Sequence, residues 1–577
     1  VVNLDSSPFQ ITTDSGVQKD NDITVPIAHE HADRSTQTIS FVEDKASQTQ
    51  KRVHQCSAIT AYEDMSPETQ RKRRKVVENC FQGLKMSNFQ LIGEGEEEDE
   101  DDEQILESLK VRHGLNLTEK QYIGVQKRGK YLSVGRIRKI ENEIISQYPA
   151  PKSIYLDVDG EEIECLIFDF KDALTCIITW ARKKYDIPKS LNVTMTGDYE
   201  GESTKISFFL SDLENPEVPG RLAMLAYFRA TDKDDYVRPA IESCLSSISN
   251  SLQNGINVDN DVYRINLRLV ADVKFQLNVL GLQSASSSFP CPYCLANKKE
   301  IRDGKKDAPR RTKSVLTAYT TKLLELESEG VSEDQNFKKE CFSTKSSRMH
   351  EILNYKILVP PPLHCLSGLV NHLIRFIQKD DLMSSEFWSF ASKIGLYLQQ
   401  PSKDITGGHA RHLLKSMKTL KYQGPLWKPF YALSEVEALS GAKWLSESET
   451  QLFQVKVENL FRLLREIPEF PITPKLHILE VHAPEFVMET QSWGRFSEQP
   501  GEHLHGVFNR IGSRVPEHPE SVCQKRTSFL MRKQILWNYI SYSDATYIPT
   551  PGYENTAISE ICDNENIHCF DESCINK

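Results

Sequence analysis

The 577-residue chain has no run approaching the roughly 18–20 consecutive apolar residues of a helical membrane span, which excludes an integral membrane protein of that kind. It lacks a disulfide framework too. Its thirteen cysteines are odd in number and scattered over a long chain, which fits a reducing compartment. An excess of basic charge, the usual footprint of a nucleic-acid binder, is also missing, for the formal net charge is −11. That last absence misleads. Residues 94–103 (EGEEEDEDDE) hold nine acids and no base, and without them the remainder carries only −2. One acidic tract masks a near-neutral body that contains local basic runs.

Residues 1–115 read as mostly disordered. They are polar and without sustained period to about 62, then carry the run Arg71, Lys72, Arg73, Arg74 and Lys75, and then the acidic tract. The basic run suits phosphate contact or nuclear import, and equally a solvated helix face. Residues 116–150 read as a small helical segment, two short patterns separated by Gly129 and a Ser133 cap, with Arg136, Arg138 and Lys139 on the second. This suits a DNA-binding helix-turn-helix or a plain helical hairpin with a basic outer face.

From 151 to 312 short β-rich runs (KSIYLDV, ECLIFDF, LNVTMTGD, TKISFFLSD, LAMLAYFRATD) alternate with helical stretches, the signature of an α/β domain. From 313 to 470 the strand signal fades and apolar residues recur at i, i+3, i+4, predicting an all-helical insertion. Residues 471–545 return to the core, and 546–577 read as a loose tail.

Three acids stand out by setting. Asp198 ends the run LNVTMT, Asp272 follows YRINLRLVA and opens a helix-like run, and Glu502 begins a helix in SEQPGEHLHGVFNR. Acids at strand ends beside a helix-start acid are what a two-metal phosphoryl-transfer site needs, with carboxylates holding two divalent ions roughly 3.5–4 Å apart. Acids at strand ends are more often caps or turn residues. A second constellation adds weight. Cys291 and Cys294 form C-P-Y-C, and His477 and His482 lie far downstream in KLHILEVH. Two thiolates and two imidazoles make a closed, structural Zn²⁺ site. A His pair five apart is off the helical i, i+4, so that segment is expected to be kinked or only partly helical.

In order and setting these residues resemble the catalytic subunit of V(D)J recombinase and its relatives, the Transib transposases. VADVKFQLNVLGLQSASSSFPCPYC is similar to the family's second catalytic aspartate followed by its zinc knuckle, and KLHILEVHAPEF to its zinc-binding histidines. WGRFSEQPGEHLHGVFNR resembles the segment of the catalytic glutamate, and LNVTMTGDYEG the strand of the first aspartate. PLHCLSGLVNHL and ITGGHARHLLKSM are similar to two helices of the family's insertion, so the likeness spans roughly 190–545.

The resemblance implies an RNase H-like mixed five-stranded sheet with flanking helices, interrupted by a large all-α insertion and joined to it by zinc. It implies Asp198, Asp272 and Glu502 as catalytic ligands of Mg²⁺ or Mn²⁺, and Cys291, Cys294, His477 and His482 as the zinc ligands. Glu498 competes with Glu502 for the third place, and Glu502 is preferred because it opens the helix. The implied reaction is DNA strand cleavage by metal-activated water, followed by attack of the freed 3′-hydroxyl in hairpin formation or strand transfer. DNA partners, a homodimer, an accessory subunit and a nuclear location follow as expectations. Expected DNA contacts are Arg71 to Lys75, Arg136, Arg138, Lys139, Arg411 and Lys415, with Lys418 and Lys421. His409 and His412 are further phosphate candidates, while His364 and Cys365 are expected to pack inside the insertion. The family's RING finger is not recognisable, since Cys56 and Cys80 are too few for one, and Cys562, His568, Cys569 and Cys574 match no defensible metal spacing. Two other readings compete: a domesticated, catalytically silent DNA-binding protein, and an RNase H-like nuclease without strand transfer.

Overall fold

The computed structural model describes residues 102–547, apart from 159, 185, 201, 331–339, 346–354, 380, 398–403, 418–426 and 513–520. The basic run at 71–75, Lys418, Lys421 and the cysteines beyond 560 lie outside the described residues. Helical structure begins earlier than residue 116. Helix α1 (Asp102–Leu109) opens on the last two acids of the acidic tract and runs into a π turn at Lys110–Gly114. Asp102 and Glu103 complement the positive end of the helix, and Leu109 and Val111 are fully buried, so this stretch is held by packing. Helix α2 (Glu119–Gln126) starts in a Thr118–Gln121 capping box and α3 (Val134–Gln147) on the Ser133 side chain. Ile137, Ile140 and Ile144 form the buried stripe of α3, and its Asn142 accepts from Arg532 of the C-terminal helix.

The centre is a mixed sheet. Strands β1 (Lys152–Val158) and β2 (Glu161–Ile167) precede α4 (Phe170–Ala181). Then come β3 (Ser190–Glu200), β4 (Ser203–Leu210), β5 (Ala223–Phe228), α5 (Asp234–Asn254), β6 (Ile256–Val258) and β7 (Asp261–Ala271). The spatial order is β1-β2-β5-β4-β3-β7-β6, antiparallel throughout except for β3 and β7, which run parallel. Every residue of β4 and β5 is buried, as expected of strands covered on both faces.

Helices α6 (Val273–Val279), α7 (Lys298–Arg302) and α8 (Lys313–Ser328) lead into the helical region. One strand interrupts it. β8 (Leu358–Val359) pairs in parallel with Leu269 and Val270 of β7, so the sheet has eight strands where the resemblance implies five. Two residues before a proline run are too few to show a period, which is why the sequence pattern misses this strand. After β8 come α9 (Pro362–Ile377), α10 (Asp381–Lys393), α11 (Gly407–Met417), α12 (Trp427–Leu439) and α13 (Glu447–Arg465). Helices α14 (Pro474–His477), α15 (Ala483–Thr490), α16 (Gln499–Gly512) and α17 (Ser521–Ser543) then complete the fold. Asn538 and Gln534 of α17 donate to the Leu222 carbonyl and Tyr542 to that of Arg221, fixing the approach to β5. No helix among the described residues is long and apolar enough to cross a membrane.

Candidate functional site

The parallel pair of strands brings two of the three acids together. Gly197 of β3 is in register with Ala271 of β7, so the next residues, Asp198 and Asp272, leave neighbouring strands side by side. Neighbouring strands are about 4.8 Å apart, and the carboxyl ends of parallel strands are where α/β sheets place ligands. Asp198 lies two residues inside the end of β3, not at its end as the sequence pattern suggests. Asp272 is the N-cap of α6, its Oδ1 accepting from Phe275 N at 2.7 Å. Gly197 permits the close packing of α6 on β3, because a Cβ there would lie 2.1 Å from the Phe275 ring.

The third acid arrives on α16. Its first turn packs on β3 at Gly501, where a Cβ would sit 3.6 Å from Thr196 Oγ1. The turn before it is anchored by Arg495, fully buried, which donates to the Ser211 carbonyl at 2.9 Å and the Leu213 carbonyl at 2.5 Å. Trp493 Nε1 donates to the Pro360 carbonyl just after β8. Glu502 is in that first turn with its side chain 35 % exposed, whereas Glu498 is buried. Glu498 Oε1 accepts from the backbone N–H of His364 at 2.8 Å and lies 3.1 Å from its Nδ1, so it caps the start of α9. His364 therefore does not pack inside the insertion as the sequence suggests. It faces Glu498, and its Nε2 is 3.9 Å from Glu502. Cys365 beside it is fully buried, as expected.

The electrostatics record the crowding. Burial first, then the charges of Glu502 and Asp272, push the Asp198 carboxyl up to about 7, against the Tyr199 N–H and His364. Burial also raises Glu502, with His364 opposing and Glu200, Glu498 and Asp272 adding to the rise. Burial would lower His364, but its hydrogen bond and ion pair with Glu498 overcome this and raise it to about 9. Carboxylates raised by burial and neighbouring charge are relieved when a cation binds, and an all-oxygen donor set is of the kind that hard divalent cations take.

Behind Asp198 stand two residues that the sequence pattern does not single out. Lys205 of β4 is its direct cross-strand partner. Its Nζ donates to the Glu200 carbonyl, Ser203 Oγ and His505 Nδ1 at 3.3, 2.9 and 2.9 Å. Burial lowers Lys205 to about 8 and, with Lys205 adding, lowers His505 to about 3. His505 is legible in principle, one turn beyond Glu502 on the same helix face. Lys205 is not, because its proximity depends on strand register.

The second centre is formed by Cys291, Cys294, His477 and His482, all buried, with ligand atoms within 4.8 Å of one another. Among the described residues no other set of His, Cys, Asp or Glu is drawn together so tightly. Cys291 Sγ lies 3.4 Å from His482 Nε2 and Cys294 Sγ 3.3 Å from His477 Nε2. Sulfur and nitrogen at usual zinc distances on a tetrahedron are about 3.6 Å apart, so the four atoms could hold a structural metal such as zinc. Five-residue spacing works because Ile478–His482 is a π turn, whose i→i+5 bonding returns residues five apart to one face. Cys291 holds Cys294 low, helped by the two imidazoles, while burial pushes Cys291 itself up.

The surroundings fix these ligands. Glu485 faces His482 Nδ1 at 3.4 Å and is paired with Arg310, and Arg311 donates to the carbonyls of Cys291 and Phe289. Tyr293, between the two cysteines, stacks on His482 and donates to Gln276 Oε1 at 3.0 Å. Gln276 in turn donates to the carbonyls of Ala271 and Val359. The Cys/His cluster is thus tied to the residue before Asp272.

Of the expected DNA contacts, Arg138 is exposed and paired with Glu119, and Lys139 and Lys415 are exposed. Arg136 is partly buried on α3. Arg411 is turned inward, donating to Gln499 at 2.5 Å with Glu437 at 3.6 Å. His412 Nε2 lies 3.1 Å from the Ile394 carbonyl, and the His409 ring meets Tyr397 edge-on. No protein-family model matches the chain, and no curated protein matches it.

Proposed function

We propose that the chain is a DDE-type DNA transposase or recombinase of the kind typified by the V(D)J recombinase catalytic subunit and the Transib transposases. The observation that carries the reading is the register of β3 against β7, which sets Asp198 and Asp272 side by side, with Glu502 near enough for its charge to raise Asp198, on a helix about 230 residues further on. Strands β5-β4-β3-β7-β8 are a contiguous mixed unit of five with flanking helices, which supports an RNase H-like core beneath the extra strands.

Asp198, Asp272 and Glu502 would hold Mg²⁺ or Mn²⁺, which when bound supplies an activated water and offsets charge on the leaving oxygen. The chain's own part is to hold three carboxylates in place and keep His364 and Glu498 paired behind them. Water oxygen attacks the phosphorus, the P–O3′ bond breaks and the 3′-oxygen takes up a proton. The resulting 3′-hydroxyl then loses that proton and attacks a second phosphodiester, whose own P–O3′ bond breaks and whose 3′-oxygen leaves protonated. Glu502 is the better third ligand because Glu498 is spent on the N-terminus of α9. Zinc at Cys291, Cys294, His477 and His482 would be structural, joining the sheet to the return from the helical region. Arg138, Lys139 and Lys415, which are exposed, are the proposed DNA contacts in the described region, with Arg136 partly buried beside them, whereas Arg411 is engaged by Gln499 and Glu437 and is dropped from the set. A homodimer, an accessory subunit and a nuclear location remain part of the same proposal.

The test is Mn²⁺-dependent nicking of supercoiled plasmid and of labelled duplexes, with joined and hairpin products scored separately. The parent and Glu498→Gln proteins should cleave, while Asp272→Ala and Glu502→Gln should lose at least about a hundredfold. Cleavage by Asp272→Ala at the parent rate sinks the reading. Binding without products under any divalent ion would favour the silent DNA-binding protein, and cleavage without joining the simple nuclease.

A further inference from the structure

The residue directly across the sheet from Asp198 is a lysine. Cross-strand partners on one face have Cβ atoms about 5 Å apart, within reach of a lysine side chain. An ammonium closing on Asp198 would compete with any cation that carboxylate is meant to bind. The structure diverts it. Lys205 Nζ has three N–H donors, and all three are used, on the Glu200 carbonyl, Ser203 Oγ and His505 Nδ1. The Phe508 ring covers a further side, its centroid 5.9 Å from Nζ. Of the three acceptors only His505 comes from the helix bearing Glu502, one turn further along, and Phe508 follows on the same helix.

The imidazole has its own geometry. Because an ammonium only donates, His505 Nδ1 must accept, which leaves the ring proton on Nε2. Nε2 faces Asp198 Oδ2 at 3.6 Å, and Nδ1 is 3.7 Å from Glu200 Oε2. At 3.6 Å the Asp198 contact is an oriented N–H facing a carboxylate and not a formed hydrogen bond. The ring thus separates a fixed cation from the acid and turns a neutral donor toward it.

We propose that His505 is a positioning residue for Asp198. By engaging the third donor of Lys205 it keeps the ammonium off a carboxylate needed for a divalent cation, and by its Nε2–H it orients that carboxylate. The proposal rests on the reading of Asp198, Asp272 and Glu502 as metal ligands.

The experiment measures Mn²⁺ binding to the zinc-loaded full chain by electron paramagnetic resonance, with zinc content and Tm recorded for each variant. Asp198→Asn should abolish Mn²⁺ binding at the acids. His505→Ala should weaken it about tenfold or more, the usual effect of losing a group that orients a ligand. His505→Gln, which offers Lys205 an acceptor and Asp198 an amide N–H, should stay within about threefold of the parent. The decisive protein is Lys205→Met/His505→Ala. With no ammonium left to close on Asp198, it should bind Mn²⁺ better than His505→Ala alone, whereas a residue of merely structural value would make the double variant worse. His505→Leu, closer in volume, replaces His505→Ala if the latter does not fold.

Failures are separable. Equal Mn²⁺ binding by the parent and Asp198→Asn removes the metal reading and this proposal with it. Loss in Asp198→Asn, but parent-like binding in His505→Ala or no recovery in the double variant, overturns the proposal and leaves the metal reading standing.

Discussion

Replacing Asp198 by Asn should make the divalent-free protein more stable, and more so as pH rises. The folded chain holds the Asp198 carboxyl at about 7 against an ordinary value of 3.8. An acid whose pKa is raised on folding binds its proton more tightly in the native state. Stability is therefore lost as pH climbs from the unfolded value through the folded one. At about 1.4 kcal/mol per unit, the charge costs about 2 kcal/mol at pH 5 and levels off near 4 kcal/mol above pH 7. These are upper values, because the side chain is 29 % exposed. Asn removes the charge at every pH yet keeps an acceptor for the Tyr199 N–H at 2.7 Å. The assay is urea unfolding at pH 5 and pH 8, without chelator so that zinc stays in place, and with and without Mg²⁺. The stability gap between variant and parent should widen from pH 5 to pH 8. Mg²⁺ should close it by stabilising the parent alone, as any ligand of the native state does. A gap independent of pH, or a variant weaker than the parent at pH 8, would refute the idea that burial and the neighbouring acids hold the Asp198 carboxyl up in the fold.

Cys291→Ser should release zinc, read by mass spectrometry, and melt far below the parent, because binding energy at a structural metal is folding energy; unchanged melting would remove the Cys2His2 centre from the account. Gly197→Ala should cost about 1–3 kcal/mol, since a methyl 2.1 Å from the Phe275 ring forces α6 and Asp272 away from β3. Pairing it with Phe275→Leu should restore part of the loss in thermal unfolding, and no recovery would place the strain elsewhere.

The sequence makes Asp272 legible because its capping role is local: an acid between a strand pattern and a helix pattern, three residues before the N–H it caps. The two metal-type ligand pairs are legible from residue type and order. Their joining is less so, because His477 and His482 share a face only through a π turn that no propensity announces. The choice between Glu498 and Glu502 is not decided locally at all. What distinguishes them is the N-terminus of α9, which engages Glu498 through His364, 134 residues earlier in the chain. Lys205 and β8 escape for the same reason, since pairing across a sheet depends on partners remote in the chain. Helix α1 escapes because its opening acids belong to a tract whose composition alone suggests no fold.

The helical region separates Asp272 from Glu502 in sequence, and the fold must cancel that separation for the acids to act together. It does so at one edge of the sheet. The chain leaves β7 at Asp272, and β8 brings it back to pair with the last residues of β7. Pro360, next after β8, accepts from Trp493, and Glu498, five residues beyond that tryptophan, caps the helix that starts at Pro362. Arg495 nails the same turn to the end of β4. From α6 itself, Gln276 with Tyr293 ties the Cys/His cluster to Ala271 and to Val359 of β8. Exit and return are thus bound to the same few groups, and α11 and α13 belong to them, since Arg411 donates to Gln499 and Phe453 packs on Trp493. Changes in length confined to α10 should leave the acids in place, whereas loss of Trp493, Gln276 or β8 should not. The tolerance of α10 and the intolerance of the roots of the helical region follow from one arrangement of contacts.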